Sequence, residues 1–278
     1  MQAILAAPLP GAAARAGDDV KRPQRGSWFS ALFNRSSLAA HAAKMQDGTI
    51  TAAEVDEYLR MGGSIGQFES YDAVHAFFVG SVPVPVLNLF IRGPFSVQRP
   101  LPADRLASLA ALLGAGADPN FRIVDYSLFQ LSNLSPLNFA AAGDDADAIA
   151  LLLRHGARTD IVEKGYLRPY GPALALCSQA RACDALAASG ADLHYVDGDG
   201  NSLVHLAANR LVDGASALAK LAWLDRRKLA MNTRNNAGRT PLDLARMAAE
   251  VARNNGLGEA VVEAAEQGIA LLGADRAR

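Results

Sequence analysis

Two short phrases recur along this chain, and their spacing constrains the fold more than any other feature. One phrase closes a segment: Leu112-Leu113-Gly114-Ala115-Gly116-Ala117-Asp118, Leu152-Leu153-Arg154-His155-Gly156-Ala157-Arg158, and Leu186-Ala187-Ala188-Ser189-Gly190-Ala191-Asp192. The aligned glycines Gly116, Gly156 and Gly190 stand 40 and then 34 residues apart. The other phrase opens a segment: Ser135-Pro136-Leu137-Asn138-Phe139-Ala140, Ser202-Leu203-Val204-His205-Leu206-Ala207, and Thr240-Pro241-Leu242-Asp243-Leu244-Ala245. Self-similarity at a period of about 20–50 residues marks a row of supersecondary units, none of which can bury its apolar face alone.

Each recurring residue has a physical task. Ser135, Ser202 and Thr240 can cap a first helix by accepting a backbone N–H, worth about 1 kcal/mol apiece. Pro136 and Pro241 fall at the first helical position, where a missing N–H costs nothing. Gly116, Gly156 and Gly190 follow a second helix, where a left-handed residue ends it cheaply. Asp144, Asp145 and Asp147 open the second helix of the segment Ser135–Asp160, and Arg154 and His155 close it, as the helix dipole favours. Helix-start chemistry explains that acidic trio more simply than a cation site does.

The pattern resembles the ankyrin repeat, with a period of about 33 residues and the hallmark Thr-Pro-Leu-His-x-Ala. Ser135–Asp160 is the cleanest copy, with a 20-residue step from Pro136 to Gly156. The resemblance implies an all-α fold, an ankyrin-repeat solenoid of about six helix-pair units with the first two degenerate. A domain over residues 36–274 is expected, behind a flexible basic leader, 1–35, and before a tail, 275–278. The first unit spans 36–66, as helices Ser36–Met45 and Thr51–Met61. The second starts at Asp72-Ala73-Val74-His75-Ala76 and resumes with Ala103–Leu113. Between them Pro83, Pro85, Pro94, Pro100 and Pro102 predict an extended insertion at about 80–102. An alternative register puts Val86-Leu87-Asn88-Leu89-Phe90 in the first-helix role. Units three to six span about 123–163, 164–197, 198–235 and 236–274. The fifth is long by about five residues around Trp223–Lys228, and the last turns irregular, as terminal caps do. The expected core is Leu112, Leu113, Leu152, Leu153, Leu186, Leu206 and Leu244.

Composition narrows the functions. Half of the 278 residues are apolar and the net charge is −1, a balance that argues against a nucleic-acid-coating protein. No apolar run approaches the ~20 residues of a membrane span, so a soluble, cytoplasmic protein is expected. Alanine at 55 residues, and arginine at 22 of the 27 basic ones, is the usage of a GC-rich, bacterial genome. The first 20 residues lack a basic group before Arg15, and Pro8, Pro10 and Gly11 interrupt their apolar stretch, unlike a signal peptide. Within the basic leader, Trp28, Phe29, Leu32 and Phe33 recur at helical spacing. They form either a capping segment or a docking face for a membrane surface.

Motifs for chemistry are missing. His41, His75, His155, His194 and His205 show no metal-helix spacing, and His205 and His75 occupy the ankyrin histidine position, a structural one. Asp197-Gly198-Asp199-Gly200-Asn201 begins like a calcium loop. Ser202 replaces its glycine, however, and Ala208 its bidentate glutamate, so a tight turn is expected instead. Cys177 and Cys183, six residues apart on two antiparallel helices, could be near enough to oxidise, but buried free thiols are the favoured reading. No nucleophile elbow, phosphate-binding loop or dinucleotide fingerprint occurs. No cofactor is expected.

What the resemblance implies instead is non-enzymatic protein binding along the concave face formed by inter-repeat fingers and first helices. There the chain carries Tyr126, Phe129, Tyr166, Arg168, Tyr170, Tyr195, Asp197, Asp199, Asn201, Arg234, Asn236 and Arg239. Tyrosine and arginine are the side chains that dominate interface energetics. The expected protein is a monomeric adaptor inside the cell, or an effector exported into a host cell. The alternative is a membrane-peripheral scaffold docking through Trp28, Phe29, Leu32 and Phe33.

Overall fold

The computed structural model describes residues 27–68, 78–79, 82–83, 85–93, 101–122, 134–164 and 169–274. The chain divides into two compact units, Met1–Ser37 and Leu38–Arg278. The backbone of the first is helical from Ser27 onward, and the packing and side-chain contacts below belong to the second.

Among the described residues the protein is all-helical apart from two ribbons of two or three residues per strand. The helices are α1 Ser27–Asp47, α2 Ala52–Arg60, α3 Arg105–Gly114, α4 Pro136–Ala142, α5 Ala146–Arg154, α6 Ala173–Leu176, α7 Ala180–Ala188, α8 Leu203–Asn209, α9 Ala215–Arg226, α10 Pro241–Asn254 and α11 Glu259–Ala274. Short 3₁₀ turns lie at Ile65–Phe68, Val86–Phe90 and Leu211–Asp213. The ribbons pair β1 Phe78–Val79 with β2 Val82–Pro83, and β3 Glu163–Lys164 with β4 Pro169–Gly171, both antiparallel.

The helices fall into two layers. In one, α2, α3, α5, α7, α9 and α11 follow in order, each packed on the next. In the other, the turn 86–90, α4, α6, α8 and α10 do the same. Across the layers the turn 86–90 pairs with α3, α4 with α5, α6 with α7, α8 with α9, and α10 with α11. Alanines at the seam, among them Ala140, Ala141, Ala148, Ala182, Ala208, Ala245 and Ala249, are buried and let the helices approach closely. Of the expected core leucines, Leu112, Leu113, Leu152, Leu186 and Leu244 are buried, while Leu153 and Leu206 are half-buried against it.

Helices of the first-named layer end alike. Gly62, Gly116, Gly156 and Gly190 take φ of +88°, +93°, +86° and +89°, a left-handed state that glycine adopts without strain. The next residue then donates its N–H back to the carbonyl of a buried residue: Gly63 to Tyr58, Ala117 to Leu112, Ala157 to Leu152 and Ala191 to Leu186, at 3.0–3.2 Å. After α9 the same turn is made by Lys228, at φ +55°.

The acidic trio knits neighbouring helix pairs together. Asp145 accepts the Ala148 N–H at the start of its own helix and the Arg92 N–H of the preceding segment. Asp144 accepts the N–H groups of Ser178 and Gln179 at 2.7 and 2.8 Å, just before α7. Asp147 pairs with Arg181 on α7.

Four expectations need correction. Helix α1 is continuous across residues 35 and 36, where a leader was to give way to a separate helix. The stretch 80–102 is not simply an extended loop. Pro85, at φ −57°, enters a 3₁₀ turn whose residues Val86, Leu87, Asn88, Leu89 and Phe90 are all buried. That turn holds the place assigned to Asp72–Ala76, which lies outside the described residues. Ser135 precedes Pro136 as expected but makes no side-chain bond to the backbone of α4. The last helix, α11, is a regular 16 residues rather than irregular. It packs so closely that a Cβ on Gly268 would lie 2.8 Å from the Leu211 side chain.

Candidate binding cleft between two turns

Two turns built to one plan project beside α8 and α10. In the first, the Asp197 N–H donates to the Asn201 carbonyl at 3.0 Å, and Asp197 Oδ1 accepts the N–H groups of Asp199 and Asn201. In the second, the Asn235 N–H donates to the Arg239 carbonyl at 3.0 Å, and Asn235 Oδ1 accepts those of Ala237 and Arg239. Gly200 and Gly238 supply the positive φ that closes each turn, +79° and +72°. Gly200 is needed twice over, because a Cβ there would lie 2.5 Å from Asn236 Oδ1.

The turns are bonded to each other. The Asn236 N–H donates to the Asp199 carbonyl at 3.0 Å, and the Asn235 side-chain amide to Asn201 Oδ1 at 2.8 Å. From below, His205 ties both turns to α8. Its Nδ1 accepts the Ser202 N–H at 3.2 Å, which leaves the ring proton on Nε2 to donate to the Arg239 carbonyl at 3.1 Å. Burial pushes the His205 pKa below its ordinary value, so the ring is held neutral.

This frame encloses a cleft of about 510 Å³. It is lined by Asp199, Asn201, Asn235, Asn236, Ala237 and Arg239 of the turns and by His205, Leu206, Asn209 and Leu244 of α8 and α10. Carboxamides that both donate and accept, one acid, one guanidinium and two leucines suit an extended peptide segment with an apolar side chain. Both nitrogens of His205 are already committed, so the ring braces the cleft.

The residues nominated from sequence divide sharply. Asp199, Asn201, Asn236 and Arg239 converge on the cleft. Asp197 lies behind it as the organiser of the first turn. Arg234 donates to the Gly238 carbonyl at 2.6 Å and stays on its own turn. Tyr195 is half-buried against the core, where burial and nearby Asp197 raise its phenol pKa, so it packs the finger. Tyr126, Phe129, Tyr166 and Arg168 lie outside the described residues, as do the side chains of Tyr170, Trp28, Phe29, Leu32 and Phe33. His205, Leu206, Asn209, Asn235, Ala237 and Leu244 also line the cleft but were not nominated as binding residues. The register of the repeated opening phrase, which aligns α8 with α10, was the available signal for Leu244.

A second cluster corrects the reading of the cysteines. Cys177 and Cys183 are joined in a disulfide, with Cα atoms 5.6 Å apart. The physical reason is the short helix α6. It ends at Leu176, and Cys177 leaves it in extended conformation, φ −66° and ψ 150°, so the chain doubles back onto α7. Buried beside the sulfurs is Lys220 of α9, whose Nζ lies 3.1 Å from Cys177 Sγ and 3.3 Å from Cys183 Sγ. Desolvation pushes its pKa down to about 7. Trp223, one turn on, has Lys220 Nζ 4.7 Å and the Arg227 guanidinium 4.8 Å from its ring centroid, and it donates its indole N–H to Asp184 at 2.9 Å.

Among the described residues no cluster of three or more His, Cys, Asp or Glu is placed to hold a metal ion. No helix among them is long and apolar enough to cross a membrane. No protein-family model matches the chain, and no curated protein shows significant similarity to it.

Proposed function

We propose that this chain is an ankyrin-type stack of helix pairs whose finger face binds a segment of a partner protein, without catalysis. The observation that carries the reading is the cleft between the turns Asp197–Asn201 and Asn235–Arg239. Four residues nominated from sequence line it together with Leu206 and Leu244. The shared glycine-ended helices and the two layers of successive helices support the ankyrin assignment. Such a stack separates stability from recognition: apolar faces hold the pairs together while the turns remain free to vary. The role is that of an adaptor, inside the cell or delivered into a host.

Affinity capture with mass spectrometry tests this, using the full chain, a form lacking residues 1–35, and the triple variant Asp199→Ala, Asn209→Ala, Arg239→Ala. These three side chains line the cleft, and none joins the two turns together. The expected result is a protein enriched by the full chain and by the shortened form, and lost from a triple variant of unchanged circular dichroism. Undiminished capture by that folded variant would move the binding site off this cleft.

A further inference from the structure

Lys220 has no explanation as a packing residue. It is 3% exposed, and an aliphatic side chain would fill the same space without the desolvation cost. Its Nζ donates to the Leu174 carbonyl at 2.5 Å, and its other neighbours among the described residues are the two sulfurs and, at 4.7 Å, the Trp223 ring. Among the described residues no carboxylate bonds to it. Asp144, whose carboxylate is held by the N–H groups of Ser178 and Gln179, acts on it from a distance, and the Arg210 cation opposes that effect. Asp184 and Arg227, beyond Trp223, pair with each other. Disulfide sulfurs are weak acceptors, whereas a thiolate is the counter-ion a buried ammonium lacks.

We propose that Cys177, Cys183 and Lys220 form a dithiol centre that is oxidised by hydroperoxide, with Lys220 holding the thiolate of the reduced pair. The thiolate sulfur attacks one peroxide oxygen, the O–O bond breaks, and a sulfenic acid forms. The departing hydroxide takes a proton from the Lys220 ammonium and leaves as water. The second thiol's sulfur then attacks the sulfenic sulfur; the S–S bond forms, the S–O bond breaks, and a second water departs with the thiol proton. In sum, a thiolate, a thiol, an ammonium and hydrogen peroxide give a disulfide, a neutral amine and two waters. The amine end state matches a Lys220 whose pKa beside the disulfide is about 7. Burial of both sulfurs, at 1% and 0% exposure, selects a small neutral oxidant over a folded oxidoreductase.

The test reduces the full chain with excess dithiothreitol, removes the reductant, and adds hydrogen peroxide at pH 7. Ultraviolet thiolate absorbance, iodoacetamide labelling and intact mass are followed. The wild type is expected to show thiolate absorbance at pH 7 and to lose two hydrogens and both labelling sites on oxidation. In Lys220→Met the thiolate signal should vanish and oxidation slow by about tenfold or more, while Lys220→Arg keeps both. Equal rates in wild type and Lys220→Met would overturn the proposal. So would a wild-type pair with no thiolate signal below pH 8, oxygen adducts in place of the disulfide, or a native disulfide that dithiothreitol leaves intact. The wild-type measurements decide the matter even where Lys220→Met does not fold.

Discussion

Arg105 of α3 and Asp145 at the start of α5 form a two-point ion pair, at 2.6 and 3.1 Å, with both side chains sealed from solvent. Arg105 also donates to the Phe90 carbonyl, and Asp145 accepts the N–H groups of Arg92 and Ala148. One buried pair thus joins the turn 86–90, α3 and α5. Removing one partner strands a buried charge, which costs about 3–5 kcal/mol. Arg105→Met should therefore lower unfolding stability by about that much in urea titrations. Combined with Asp145→Asn, the loss should fall short of the sum of the single losses by at least about 1 kcal/mol. Strict additivity would show that the pair is not coupled.

Helix ends offer a test that involves no packing. A Cβ at Gly156 would meet nothing within 4 Å, so the cost of Gly156→Ala comes from φ +86° alone. A loss of about 1 kcal/mol is expected. At the corresponding place after α9, Lys228 sits at φ +55° with a side chain. Lys228→Gly should gain roughly 0.5–1 kcal/mol, after the entropy glycine adds to the unfolded chain is deducted. Changes of opposite sign in the two thermal midpoints check both, and a destabilised Lys228→Gly would show that the side chain makes some other contribution.

These glycines also show what the sequence could tell. Gly116, Gly156, Gly190, Pro136 and Pro241 were legible because each names a backbone state that few other residues provide. The cleft residues Asp199, Asn201, Asn236 and Arg239 were legible by position, since turns between repeated phrases project outward. The turn 86–90 was legible only as the alternative register, because the surrounding prolines break helices over several residues yet permit one that starts directly after Pro85. The Arg105–Asp145 pair was illegible because nothing local links residues 40 apart. The disulfide was legible only as the less favoured alternative, because it depends on α6 lasting one turn. Lys220 was illegible because a lysine is ordinarily read as surface.

His205 should make stability fall on mild acidification. Its folded pKa lies below its unfolded value, so the unfolded chain binds the proton first. The stability conferred by the neutral ring is complete above about pH 6.5 and is lost as the pH falls from there through the folded value. Asn138 of α4 makes a comparable bond, its amide donating to the Ile161 carbonyl at 3.1 Å, which makes asparagine the natural replacement. His205→Asn should cost about 1–2 kcal/mol at pH 7.5. It should also show a shallower decline than wild type between pH 6.5 and 5 in urea midpoints. Parallel declines would assign the acid sensitivity to carboxylates instead.

Lys220 should impose a pH dependence in the alkaline range on the oxidised protein. Its pKa is about 7 in the fold against an ordinary 10.5 in the unfolded chain, so above 10.5 the amine is neutral in both states and nothing is lost. As the pH falls from there toward 7, the unfolded chain takes up a proton that the folded one refuses, and stability declines. With disulfide intact, wild-type stability should therefore rise from pH 7 to 9.5, by an amount on the order of 3 kcal/mol. Lys220→Met removes the titrating group, so its urea midpoint should change little over the same range and exceed the wild type's at pH 7. The Leu174 carbonyl left without its donor reduces that advantage by about 1 kcal/mol but has no pH dependence of its own. The slope is therefore the decisive quantity. A Lys220→Met protein that gains as much stability as wild type between pH 7 and 9.5 would mean that Lys220 is charged in the fold.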